Sequence, residues 1–268
     1  MSDMSEDSDL GRPRGRVSII LRVLLAFLII GLLTIAVIPF CLCVLPWRIA
    51  RIRVGNVYGR LVGSTVFRLA GIIPRLEGRS IESHGPVLVV SNHASTIDMW
   101  IGMWLNPKRG CGVAKKEVMK IPFFGFIYWL SGHLLVDRSD RGSAISSLEE
   151  LGDFVRSNRV GVWMWPEGSR SRDGRLKPLK KGFAHLAIAT GLPVLPIVAH
   201  DADLRWPSDS FEIRPGPLRM VVLEPIDTSS WRSETVDLHV EELANVFNDA
   251  LGERQKRAVV PEVPAPCH

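Results

Sequence analysis

The chain has 268 residues, 46% of them hydrophobic and 23% charged, enough for one αβ domain with a full core and an appendage; a disordered tail, a collagen-like fibre and a small disulfide scaffold are excluded. The formal net charge of +5 is unevenly placed: Leu10 to Leu76 holds ten arginines and no acid, four acids precede it, and residues 77–268 are left at a net charge of −1. Basic charge confined to an apolar, arginine-studded segment suits an anionic membrane surface and argues against nucleic acid as a partner.

Val23 to Pro46 is a run of 24 residues without a charge. As a helix, at about 1.5 Å per residue, it reaches across a hydrocarbon core of roughly 30 Å. It is too long for the apolar part of a cleaved signal peptide, and no small-x-small cleavage site follows. Arg12, Arg14, Arg16 and Arg22 precede it and Arg48, Arg51, Arg53 and Arg60 follow it. That balance leaves a full span and a hairpin dipping into one leaflet both open. Pro39 and Pro46 are expected to break or kink the helix, and Trp47 suits a headgroup layer. Gly55, Gly59 and Gly63 recur every four residues, either as a smooth stripe against the first helix or as a weakening of the second.

Beyond Pro74 short apolar runs alternate with amphipathic segments, which predicts an α/β fold, a mixed β-sheet flanked by helices, behind an N-terminal membrane-embedded helical hairpin. Strands are expected at Val87–Val90, Gly112–Ala114, His133–Val136, Val160–Trp165, Val194–Ala199 and Leu218–Leu223. Helices are expected at Thr96–Leu105, Ser143–Ser157, Gly182–Thr190 and Thr235–Glu253. The implied organisation is a polar tail over residues 1–16, a membrane-anchoring helical segment over 17–72, the catalytic-type domain over 73–257 and a flexible tail over 258–268. The cysteines, at 41, 43, 111 and 267, show neither a disulfide ladder nor metal-ligand spacing, and fit a reducing compartment.

Three stretches carry chemistry. Asn92 to Asp98 (NHASTID) follows an apolar strand, and a histidine five residues before an aspartate across a strand-to-helix turn lets the carboxylate hold one ring nitrogen while the other faces a substrate. His93 is then a proton acceptor and Asp98 its orienter; a capping pair is the plain alternative. Ser95 offers a rival mechanism as covalent nucleophile, but it sits in no G-x-S-x-G elbow, and direct transfer is preferred. Trp165 to Ser171 (WPEGSRS) places Glu167 and Arg170 on a Pro- and Gly-bounded turn, where Arg170 offers a fork for phosphate oxygens, unless the two form a local surface ion pair. Lys115 to Arg138 runs from a strand end through an apolar, aromatic loop that needs the core, a partner or lipid to cover it; Phe124, Tyr128 and Trp129 are equally readable as core. Lys177, Lys180 and Lys181 read as a solvated face.

Taken together these segments resemble the glycerolipid acyltransferase family, and within it the bacterial 1-acylglycerol-3-phosphate acyltransferases. NHASTID matches its H-x-x-x-x-D motif at His93 and Asp98, and KKEVMKIPFFG its K-x-E-L-x-x-x-P-x-x-G segment at Lys115, Glu117, Pro122 and Gly125. HLLVDR carries its arginine at Arg138, and WPEGSRS matches F-P-E-G-T-R-S with Trp165 and Ser169 replacing Phe and Thr. VLPI stands at its Pro-containing fourth motif around Pro196. The resemblance implies that His93, oriented by Asp98, deprotonates a lysophospholipid hydroxyl for attack on an acyl-CoA or acyl carrier protein thioester. It assigns the glycerol phosphate to Arg138, Glu167, Gly168 and Arg170, with Lys115 nearby, and calls for no metal and no cofactor. Membrane lipids are the surroundings it implies, with the domain on the cytoplasmic face of the bacterial inner membrane. Another lysolipid acceptor, such as a lyso-ornithine lipid, and a non-catalytic lipid binder are the competing readings.

Overall fold

The computed structural model describes residues 15–121, 124–136, 141–208 and 210–257. The expected flexible tail, nearly all of the polar N-terminal tail, and Arg138 lie outside the described residues.

Helix α1 (Arg16–Cys43) contains the apolar run, and most of its large apolar side chains, among them Leu24, Phe27, Leu28, Leu32 and Ile35, are exposed. Among the described residues it alone is long and apolar enough to cross a membrane. Pro39 stays inside the helix, so the chain turns only at Val44–Trp47, where Pro46 sits. Helix α2 (Arg48–Ala70) returns antiparallel to α1: Arg22 of α1 donates to the Leu69 carbonyl at 2.8 Å, and Thr34 shares a hydrogen bond of 2.8 Å with Tyr58.

The glycine stripe of α2 faces neither of the two ways expected. A Cβ at Gly63 would lie 2.9 Å from the Trp100 carbonyl and from Trp104 Cβ, and one at Gly59 3.2 Å from the Met103 carbonyl. One at Gly55 would lie 2.5 Å from Ser131. The stripe therefore seats α2 on the αβ domain, and the larger side chains of α2, not its glycines, meet α1. Arg48 and Arg51 complete the seat by donating to the carbonyls of Gly132 and Leu130, each at 3.0 Å.

The domain then runs β1 (Ile72–Glu77), β2 (Leu88–Ser91), α3 (Asp98–Leu105), β3 (Gly110–Lys115), α4 (Phe124–Leu130), β4 (Leu134–Val136), α5 (Arg141–Asn158), β5 (Gly161–Met164), α6 (Gly182–Thr190), β6 (Val194–Ala199), α7 (Ala202–Arg205), β7 (Gly216–Val222) and α8 (Val236–Ala250). The sheet order is β1-β7-β6-β2-β5-β3-β4, with β6 and β7 antiparallel and every other neighbouring pair parallel. Period-2 alternation sorts the central strand between two cores. Leu88 and Val90 pack with Phe183, Leu186, Leu243 and Phe247 under α5, α6 and α8. Val87 and Val89 pack with Ile97, Ile101 and Phe67 under α3 and α2. Helix α2 thus covers part of a sheet face, which a membrane hairpin separate from the domain would not do.

Strand β1 was not expected. Pro74 and its exposed neighbours hide it, and it occupies a sheet edge, where a residue without an N–H is tolerated.

Candidate active site

Strands β2 and β5 are parallel neighbours, so the chain leaves both at the same sheet edge, about 5 Å apart. This brings NHASTID and WPEGSRS together. The Asn92 side chain extends the sheet by one step: its Oδ1 accepts the Ala199 N–H at 2.8 Å and its Nδ2 donates to the Ala199 carbonyl at 3.0 Å. His93 follows at the mouth of a cavity of about 610 Å³.

His93 Nδ1 lies 2.9 Å from Asp98 Oδ2. The same oxygen accepts the N–H groups of Ala94 at 2.7 Å and Ser95 at 2.8 Å. Asp98 is 2% exposed and begins α3; its carboxylate closes the turn that precedes the helix and orients the ring at once. A carboxylate accepts and does not donate, so Nδ1 carries the proton and Nε2 keeps its lone pair. On its face the imidazole stacks against Trp165, ring centroids 4.8 Å apart and planes inclined by 22°.

Ser95 is buried, and its hydroxyl is committed: it donates to the Trp206 carbonyl at 2.6 Å and accepts the Ile97 N–H at 3.0 Å. Such a hydroxyl cannot serve as a nucleophile without dismantling the turn.

Glu167 departs from its expected place. It is 2% exposed, Oε1 accepts the His93 N–H at 2.5 Å and Oε2 accepts the Lys177 N–H at 2.9 Å. No ion pair with Arg170 forms; both carboxylate oxygens brace the loop that bears His93, and the side chain does not line the cavity. Burial pushes this carboxyl up to about 8, against the two backbone N–H bonds that pull it down, with the nearby Asp98 carboxylate raising it further. Gly168 takes φ of 73° in the same turn, a backbone region open to glycine, and its N–H closes the turn on the Trp165 carbonyl at 3.1 Å. Ser171 N–H then donates to the His93 carbonyl at 2.7 Å, so both backbone groups of His93 are held by this segment.

Arg170 lines the cavity and donates to Thr96 Oγ1 at 3.0 Å. Arg172 lines it too, as do Thr96, Trp163 and His133; sequence reasoning missed all four. The spacing of Arg170 and Arg172, two residues apart just after the turn, was the legible signal for Arg172. Lys177 carries more than a solvated face would, since it bonds Glu167 through its backbone and Ser169 Oγ through Nζ at 2.7 Å. Lys115 ends β3 beside Ala114, which lines the cavity; its side chain, like Arg138, lies outside what the structure describes.

The cavity extends between α2, α3, β3 and α4, where Gly55, Gly59, Met103, Val113 and Ile127 wall it, and reaches His133. His133 Nδ1 accepts the Gly112 N–H at 3.1 Å, and burial with the Arg48 charge beside it pushes the ring down to about 4, so it stays neutral. The aromatic loop divides as its two readings allowed: Ile127 packs with Cys41, Tyr58, Val62 and Leu130, Tyr128 lies against His133 with the ring planes tilted by 37°, and Met119, Ile121, Phe126 and Trp129 are exposed. Trp129 is therefore not core.

Among the described residues no group of three or more His, Cys, Asp or Glu is placed to hold a metal ion. A histidine oriented by a carboxylate and two arginines share the lining of one largely apolar cavity, groups whose chemistry is that of a base and of anion binding.

The comparisons fit this geometry. The family model described as Acyltransferase matches residues 74–200. A 1-acyl-sn-glycerol-3-phosphate acyltransferase of Limnanthes douglasii is 37% identical over 88% of this chain and 83% of its own length. The chain belongs to the acyltransferase family. The enzyme of that same description from Escherichia coli (strain K12) is 30% identical over 75% of this chain and 80% of its own. The crystal structure of the 1-acyl-sn-glycerophosphate (LPA) acyltransferase, PlsC, from Thermotoga maritima superposes with a TM-score of 0.63 at 25% identity, covering 84% of this chain and 94% of that one.

Proposed function

We propose that this acyltransferase moves a fatty acyl group from a thioester, acyl-CoA or acyl carrier protein, to the free sn-2 hydroxyl of 1-acylglycerol-3-phosphate, making phosphatidic acid. The observation that carries the reading is the His93–Asp98 bond in a ring that opens on a cavity with two arginines at its mouth.

In this reading His93 Nε2 takes the proton of the acceptor hydroxyl as the oxygen attacks the thioester carbonyl carbon. Asp98 stabilises the imidazolium that forms. The tetrahedral intermediate collapses with cleavage of the C–S bond, and the thiolate takes the proton back from His93. One ester forms, one thioester breaks, and the base is restored. A positioned base contributes about 10²- to 10⁴-fold, and holding two substrates in one cavity lowers the barrier further. Arg170 and Arg172 take the acceptor phosphate through charge-assisted bonds, with Lys115 and Arg138 in its surroundings; Gly168 keeps the loop close to it, and Glu167 holds the loop from below. An apolar chain occupies the cavity. Helix α1 keeps the site at the bilayer, with the domain on the cytoplasmic face where thioester donors are available.

The test is a panel of lysolipid acceptors given one acyl thioester with the protein in lipid nanodiscs. Lysophosphatidic acid is expected to give the highest kcat/KM. Preference for a lysolipid without a phosphomonoester would reassign the acceptor, and free fatty acid without transfer would reassign the reaction to hydrolysis.

A further inference from the structure

The stacking of Trp165 on His93 is unused by the mechanism above, although both rings line the cavity. Trp165 is held there from two sides. Trp163 meets it edge to face, with centroids 6.2 Å apart and planes at 66°. Gly102 of α3 leaves room for its six-membered ring, since a Cβ there would lie 2.9 Å from Trp165 Cζ2 and Cη2. The indole is therefore a fixed plate against the imidazole face, while Asp98 holds the ring edge.

We propose that Trp165 is a positioning residue that acts through His93: its π-face favours the imidazolium over the neutral ring, and so stabilises the charge that His93 takes on when it removes the acceptor proton. An indole has the strongest negative face of the aromatic side chains, and a cation stacked on it in a partly desolvated site is favoured by up to about thirtyfold. The neutral imidazole draws much less from the same face, so the gain is specific to the transition state. The proposal rests on the acid–base role given to His93 above. The other titratable and charged groups around that ring are Asp98 from α3, the carboxyl of Glu167 under its backbone N–H, and Arg170 and Arg172 on the cavity wall. Asp98 favours the charged ring and the arginines oppose it, and substitutions at position 165 leave all four in place.

The test compares wild type with Trp165→Phe, Trp165→Leu and a tetrafluorinated tryptophan placed at position 165, which drains the ring face and keeps its shape. Activity needs a neutral base, so kcat/KM falls on the acid side, and a ring that favours its charged form falls at the higher pH. Wild type should show the highest plateau kcat. The fluorinated and Leu forms should lose about tenfold in plateau kcat with little change in KM, and their acid limb should move down by about half to one pH unit. Phe should lie between. The midpoint of the His93 ring-carbon signals in NMR titrations of labelled protein in nanodiscs should follow the same order without turnover. A fluorinated form indistinguishable from wild type, or a fall in kcat with limb and midpoint unmoved, overturns the proposal. An inactive wild type with the midpoint still ordered in this way would instead overturn the proposed reaction.

Discussion

Glu167 lies beneath His93, with Oε1 on the His93 backbone N–H at 2.5 Å and Oε2 on that of Lys177. The loop bearing the imidazole is thus held by a buried carboxyl from the neighbouring strand end. Glu167→Gln replaces one acceptor oxygen by an NH₂ group facing a backbone N–H, a loss of about 1–3 kcal/mol. A carboxyl raised from its ordinary 4.5 to about 8 keeps its proton in the folded state while the unfolded chain has lost it. Its contribution to stability is fully present below about 4.5 and is lost as pH rises to about 8. Thermal unfolding at pH 5 to 8.5 should therefore show wild type losing Tm toward the alkaline end, and Glu167→Gln lacking that component. Parallel curves would show that the carboxyl does not titrate in this range.

Asp98 gathers three donors on one oxygen. This makes Asp98→Asn an informative change, because the Ala94 and Ser95 N–H groups fix which way the amide faces. Its oxygen must occupy the Oδ2 position, where it still accepts Nδ1–H of His93, so the charge is removed while an NH₂ group takes the buried, unpartnered Oδ1 position. The expected result is a kcat lower by about 10- to 100-fold with KM nearly kept, whereas Asp98→Ala, which frees the turn as well, should approach the loss of at least about 10²-fold expected for His93→Ala. Steady-state kinetics on the three variants decide it. Equal losses for Asn and Ala would mean that the charge, not the geometry, is all that Asp98 supplies.

The strands other than β1 and the two motif loops were legible because each signal is local: segments such as Val194–Ala199 and Gly182–Thr190 match their elements end for end. The His93–Asp98 pair was legible for the same reason, since five residues span it. What lies between elements was not. Glu167 looked like a surface group on its turn, and only the parallel pairing of β2 with β5 puts it under His93. The glycines of α2 announced a close approach, but the partner, α3, is some forty residues away in sequence, and no local pattern names it. Arginines at 48 and 51 read as charge flanking the apolar run, yet they bond the carbonyls of Leu130, the last residue of α4, and of Gly132 just beyond it.

That close approach gives a prediction with an internal control. Gly63→Ala sets a methyl 2.9 Å from the Trp100 carbonyl, and Gly55→Ala sets one 2.5 Å from Ser131, on the cavity wall. Each should cost about 1–3 kcal/mol through forced separation of α2 from the domain. Gly31 in α1 has nothing within 4 Å of its missing Cβ, so Gly31→Ala should be neutral or slightly stabilising. Thermal melts in a single detergent separate the two classes, and a destabilised Gly31→Ala would point to a partner surface on α1.

Two exposed apolar surfaces are open to a membrane. Helix α1 exposes its apolar side chains along its length, while Phe126 and Trp129 of α4, with Met119 and Ile121 before it, form a second exposed apolar group on the domain. Removing residues 1–44 takes α1 away and leaves α2 to cover α3; removing 1–72 also strips Phe67 and the glycine seat from a core face and should prevent folding. The 1–44 deletion should stay folded and lose most, not all, of its binding to anionic vesicles, because four exposed apolar side chains at an interface still bury area in lipid. Adding Phe126→Glu and Trp129→Glu to the deletion should abolish the remainder, at low and high salt alike, as measured by vesicle sedimentation. Residual binding that disappears in salt without those changes would assign it to the arginines of α2.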